Sequence, residues 1–107
     1  MENKAAVTVL AALAQETRLA IFRLLVPLGA QGMTVGRIGE TLSLAPATLS
    51  FHLKELTHAN LIVARQEGRY IHYSANYATM SELLGFMTEN CCQMAGDAPP
   101  SPPACCG

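Results

Sequence analysis

No part of this 107-residue chain is apolar for long enough to cross a bilayer. Its longest uninterrupted apolar run is residues 9–14, against the roughly 20 residues that a membrane-spanning helix needs. The sequence also lacks a phosphate-binding glycine loop, a paired acid–base constellation, a nucleophile with an evident base and a Cys-X-X-Cys motif. Those absences argue against an enzyme and leave thiol-reductase chemistry without a motif. A strong positive charge is missing too, since the formal net charge is -1. Residues 5–14 behind Lys4 imitate a secretory leader, with Ala12-Leu13-Ala14 as a mock cleavage site. Against that reading, Glu2 weakens the positive start, Thr8 interrupts a mildly hydrophobic run, and cleavage would remove a helix the fold requires. A cytoplasmic address with reduced thiols is therefore expected, with no membrane partner.

What is present is organised by position. The span from Arg18 to His72 holds Arg18, Arg23, Arg37, Lys54, Arg65 and Arg69 against Glu40, Glu55 and Glu67, a net +3. The remainder holds Lys4 against Glu2, Glu16, Glu82, Glu89 and Asp97, a net -4. Phosphate neutralisation needs basic residues gathered on one module, and the central span supplies them.

That span reads as a DNA-binding module. Residues 44–74, LAPATLSFHLKELTHANLIVARQEGRYIHYS, run as a helix, a turn and a two-stranded wing. Thr34 is placed as the N-cap of a short helix over residues 35–42, residues 43–45 as a tight turn, and Pro46 in the first turn of the next helix. Leu49, Leu53 and Leu56 fall at i, i+4 and i+7 and define its buried face. Two short helices joined this way form a helix-turn-helix. Thr48, Ser50, Phe51, His52 and Lys54 are then the candidates for base edges and phosphates, although alone they would pass for a solvated helix face. Residues 61–65 are β-branched and apolar and residues 69–74 alternate as RYIHYS, so they read as the two strands of a hairpin around a Glu67-Gly68 turn. Arg65 and Arg69 flank the tip, where they either reach DNA or keep an edge strand soluble.

Around this module, residues 5–13 are an alanine-rich helix. Residues 16–26 are a second helix with Leu19, Phe22, Leu25 and Val26 on one face, ended by Pro27. Residues 28–33 are a connector. Asn76 caps a last helix over residues 77–90, whose Met80, Leu83, Leu84 and Met87 share one face. That helix either packs on its own domain or, as favoured here, joins the alanine-rich helix in a homodimer interface. The fold class expected is mainly α with a small β-hairpin, a dimeric winged helix-turn-helix in the order helix–helix–helix–helix–strand–strand–helix. Residues 1–92 form the DNA-binding and dimerisation domain, and residues 93–107 a proline-rich tail carrying a cysteine pair.

The four cysteines come as two adjacent pairs, Cys91-Cys92 and Cys105-Cys106. Thiolates favour thiophilic ions over magnesium or calcium. Adjacent cysteines are poorly placed to bond each other, because a trans peptide holds their Cα atoms about 3.8 Å apart, below the usual disulfide range. They can grip one larger atom between them. Open alternatives are incidental thiols, a four-thiolate zinc clasp, or a redox switch between the pairs. His52, His58 and His72 lack companions at ligand spacing and are read as surface or phosphate-contacting residues.

The stretch LAQETRLAIFRLL at residues 13–25 resembles the second-helix signature of the ArsR/SmtB family of metal-responsive repressors. SFHLKEL at residues 50–56, then ANLI at 59–62 and EGRY at 67–70, resembles its recognition helix and wing. The likeness covers residues 5–90. It implies a homodimeric repressor that holds a palindromic double-stranded operator and releases it on binding an effector. Two of the family's usual sensor sites are missing: residues 34–42 contain no cysteine, and residues 77–90 contain neither histidine nor aspartate. Cys91, Cys92 and one of Cys105 or Cys106 resemble the arrangement in an arsenic-responsive branch. That likeness implies arsenite as effector, with antimonite possible and the fourth cysteine surplus. The alternatives kept beside it are a zinc-, cadmium-, lead- or redox-responsive repressor of the same fold, and a cytosolic metalloid carrier without DNA specificity.

Overall fold

A computed structural model describes residues 1–94. Five helices and a small antiparallel sheet follow one another as α1 (Asn3–Leu13), α2 (Glu16–Leu25), a 3-10 segment (Val26–Gln31), β1 (Met33–Thr34), α3 (Val35–Leu42), α4 (Pro46–His58), β2 (Ile62–Glu67), β3 (Tyr70–Ala75) and α5 (Tyr77–Met87). The winged helix-turn-helix order expected from the sequence is present. The cysteine pair expected at residues 105 and 106, Cys105 and Cys106, lies outside the described residues, as does most of the proline-rich tail.

Three local differences have identifiable causes. The connector contains the 3-10 segment, and Met33 and Thr34 add a third strand by pairing with Tyr73 and His72, giving the order β1-β3-β2. Gly32 permits this: its φ is +62°, and a Cβ there would stand 1.9 Å from the Tyr73 carbonyl oxygen. The hairpin turn is shifted by one residue from the expected Glu67-Gly68. Glu67 pairs with Tyr70, so Gly68 and Arg69 form the loop, with Gly68 at φ +61°. Regular helix α5 stops at Met87 and continues as turns, with Asn90 and Cys92 in left-handed conformations at φ 61° and 63°.

The core forms where α2, α3, α4 and the base of the hairpin converge. Ile21, Leu25, Ile38, Leu56, Leu61 and Ile62 are its largest fully buried side chains. Full burial of an aliphatic side chain contributes about 1.5–3 kcal/mol each before chain entropy is set against it. Leu19, placed by periodicity on the inner face of α2, is 43% exposed, and Ile21 takes its place inside. The Tyr77 hydroxyl donates to the Val26 carbonyl at 2.6 Å, tying the start of α5 to the end of α2. On α5 only Thr79 and Leu83 are buried, while Leu84 and Met87 remain exposed.

Candidate nucleic-acid interface and thiol site

The turn between α3 and α4 fixes how the second helix is presented. The Thr34 hydroxyl accepts from the Arg37 N–H at 3.3 Å and starts α3. Ser43 ends it in a left-handed conformation at φ 55°, and the Leu44 N–H returns to the Gly39 carbonyl at 2.9 Å. Pro46 then opens α4, where its missing N–H costs nothing. Leu49, Leu53 and Leu56 are buried as their spacing requires. Thr48, Ser50, Phe51 and Lys54 are exposed along the rest of the helix, so the expected polar face does project outward.

His52 does not belong to that face. It is buried, with its Nδ1 3.3 Å from a terminal nitrogen of Arg18, whose Nε donates to the Ala12 carbonyl at 2.7 Å. A guanidinium can only donate, so His52 accepts through a neutral ring. Burial holds the imidazole below its ordinary pKa, and the Arg18 charge pushes the same way against a weaker opposite pull from Glu55. The polar chain Ala12–Arg18–His52 thus links α1, α2 and α4. The sequence carries a signal for this burial, because His52 lies at i+3 from Leu49 and i-4 from Leu56, inside the buried stripe. Its partner Arg18 lies 34 residues away and had no local signature.

The two wing arginines separate. Arg65 donates to the Ala30 carbonyl at 2.9 Å and the Gln31 carbonyl at 3.5 Å, and pairs with Glu67 at 3.2 Å. It therefore braces the wing against the 3-10 segment while its side chain stays partly exposed. Glu67 is shared with His72, whose Nε2 lies 3.4 Å away. Arg69 occupies the turn itself and is exposed. His58 is exposed at the end of α4.

The thiols of Cys91 and Cys92 are exposed just beyond α5, with their sulfur atoms 3.4 Å apart. That separation is well beyond the ~2.05 Å of a disulfide bond. A hydrogen bond from one thiol to the other holds the Cys92 pKa up. Among the described residues no group of three or more potential metal ligands comes together, so these residues supply two thiols to any site. The further ligands expected at Cys105 and Cys106 lie outside the described residues.

Comparison with known proteins agrees with this geometry. Residues 13–65 match the helix-turn-helix domain family, spanning α2 through most of β2. An uncharacterized HTH-type transcriptional regulator, YceK of Bacillus subtilis, is 35% identical over 77 residues, covering 71% of this chain and 76% of its own. The transcriptional repressor SdpR of the same organism is 31% identical over 55 residues, covering 51% of this chain and 61% of its own. The structure of an ArsR-like transcriptional regulator from Rhodococcus sp. RHA1 superposes with a TM-score of 0.75 at 22% identity, over 85% of this chain and 83% of that one. These relatives are regulators and not enzymes. With its helix-turn-helix, its braced wing and its flanking helices, the chain belongs to the helix-turn-helix transcriptional regulators, and it shares its fold with an ArsR-like regulator.

Proposed function

We propose that this regulator is a homodimeric repressor that occupies a palindromic operator and releases it when trivalent arsenic, or antimony in its place, bonds to the thiols beyond α5. The observation that carries this reading is the side-by-side placement of the Cys91 and Cys92 sulfurs, 3.4 Å apart and open to solvent. One soft atom can bridge them without backbone movement large enough to break α5. Arsenous acid, As(OH)3, exchanges one hydroxyl for each thiol. Every As–S bond formed breaks one As–O bond and one S–H bond and releases one water, with no net proton left over. A third bond would come from Cys105 or Cys106, while an organoarsenical with one methyl group needs only Cys91 and Cys92.

Dimerisation is supported by what the protomer leaves uncovered. Val7 and Leu10 on α1 and Leu84 and Met87 on α5 are all exposed, and a second copy is the partner that would bury them symmetrically. A likeness to a named repressor, SdpR, supports repression. The coupling is thermodynamic: the metalloid-bound ends of α5 favour a spacing of the two α4 helices that fits the operator less well. A coupling of about 1–3 kcal/mol weakens operator binding about 5- to 150-fold.

The test is a fluorescence-anisotropy titration of a labelled duplex from the chain's own upstream region, using reduced full-length protein. Arsenite, antimonite, zinc and an oxidant are then added separately. Release by arsenite or antimonite alone supports the proposal. Release by zinc or by oxidant alone replaces the effector, and no release by any of them removes the sensor. Tight arsenite binding without sequence-specific, salt-sensitive DNA binding would favour the carrier.

A further inference from the structure

Phe51 is an anomaly on α4. The inner stripe of that helix is filled by Leu49, Leu53 and Leu56, yet Phe51 stands on the outer face with 54% of its surface exposed. Its neighbours one turn away on that face are Ala47 and Thr48 on one side and Lys54 and Glu55 on the other, all exposed. The ring therefore adds little to the core, and it leaves a large apolar surface in water among small and polar side chains.

The ring is also held in place. It meets His52 edge-on, with ring centroids 5.3 Å apart and planes at 63°. His52 in turn is buried and fixed by Arg18, which is anchored to the Ala12 carbonyl. A buried polar chain reaching back to α1 thus sets the base on which an exposed aromatic rests. Such pre-organisation lowers the entropy lost when a side chain makes contact. Phe51 is the sixth residue of a helix that starts at Pro46, within the first two turns, the part of a recognition helix that approaches base edges most closely.

We propose that Phe51 is a specificity-determining residue of this regulator, packing against the 5-methyl group of a thymine in each operator half-site. The proposal rests on the reading of α4 as the helix that enters the major groove. Among the groups presented there, the thymine methyl is the apolar one, and an apolar side chain is its natural complement. Thr48, Ser50 and Lys54 beside it offer hydroxyl and ammonium groups for base edges and phosphates. Phe51 has no hydrogen-bonding atom in its side chain, so its contribution is discrimination for a methyl, separable from phosphate binding.

The experiment uses the full-length reduced protein and a duplex that it selects from a random pool. Each thymine of that duplex is replaced singly by uracil, which removes only the methyl, and affinity is read by anisotropy at fixed salt. The expected result is a thymine in each half-site at which the wild type loses about fourfold in affinity, the equivalent of one buried methyl-sized group. Phe51→Ala, checked for unchanged far-UV circular dichroism, is expected to bind the duplex more weakly and to be indifferent to uracil at that position. A flat uracil scan on a specifically bound duplex overturns the proposal and leaves the operator reading standing. A uracil penalty that persists in full in Phe51→Ala overturns it as well, because another side chain then reads the methyl. Failure to select any sequence overturns both the proposal and the reading beneath it.

Discussion

α4 and α5 have similar lengths, 13 and 11 residues, and place their apolar surface in opposite ways. α4 buries Leu49, His52, Leu53 and Leu56 within its own protomer and turns Thr48, Ser50, Phe51 and Lys54 outward. α5 buries only Thr79 and Leu83, exposes 40% of Leu84 and 59% of Met87, and is followed after a short turn by the Cys91-Cys92 pair. The first helix is fixed by the fold before anything binds. The second buries fewer of its residues in the protomer and leaves apolar side chains in water. Under the proposed function that inequality has a use: a fixed reader gives a defined fit to DNA, and an element with less of its surface buried is where a ligand changes the fit at modest cost.

The contrast can be broken first at Leu56. Leu56→Ala empties a fully buried position beneath α4 and is expected to lower protomer stability by about 2–5 kcal/mol, read in urea denaturation at any protein concentration. The next largest effect is expected at His52. His52→Ala removes the acceptor for the Arg18 guanidinium, a charge-assisted bond of the kind that contributes about 1.5–3 kcal/mol.

The same site makes stability depend on pH in a stated direction. The folded pKa of His52 lies below its usual 6.5, so on acidification the unfolded chain takes up this proton first. The contribution is complete above pH 6.5, declines as the pH falls from there through the folded pKa, and is lost below it. His52→Gln retains an acceptor but does not titrate. It is expected to flatten that part of the stability profile, and an unchanged slope would assign the proton to another group.

At α5 the expected effects on the protomer shrink. Asn76 accepts from the Thr79 N–H at 3.4 Å as the N-cap, and Asn76→Ala should cost about 1 kcal/mol. Smallest of all is the paired change Leu84→Ser and Met87→Ser, expected to alter protomer stability by less than about 0.5 kcal/mol per site because both side chains are exposed. Its effect should appear instead as a weaker dimer in sedimentation equilibrium. A large loss of protomer stability with unchanged association would show α5 held by its own domain.

The same contrast explains what was legible in the sequence. Leu49, Leu53 and Leu56 announce α4 because their spacing is a local property of a helix that buries one stripe. Pro46 and the N-capping Thr34 mark its surroundings for equally local reasons. The wing was legible as an apolar, β-branched run and an alternating run around Gly68, but its turn was displaced by one residue because pairing of Glu67 with Tyr70 is decided between strands. The β1 pairing, the Arg65 brace and the Arg18–His52 contact went unread, since each joins residues about 34 or more positions apart. Leu19 was misplaced because helical periodicity alone does not say which of two adjacent faces meets the core. At the thiol site, adjacency of Cys91 and Cys92 was plain from the sequence, whereas their exposure and sulfur separation required the turn that follows α5.

The central claim is that the thiols beyond α5 control the operator grip of α4, and its most direct test is the arsenite dependence of operator binding in the wild type and in the double variant Cys91→Ser and Cys92→Ser. With reduced protein at fixed salt, the expected result is equal operator affinity without arsenite, release of the wild type about 5- to 150-fold more easily with it, and no response in the variant. An arsenite response of full size in the serine variant, or a wild-type complex indifferent to saturating arsenite, would contradict the claim.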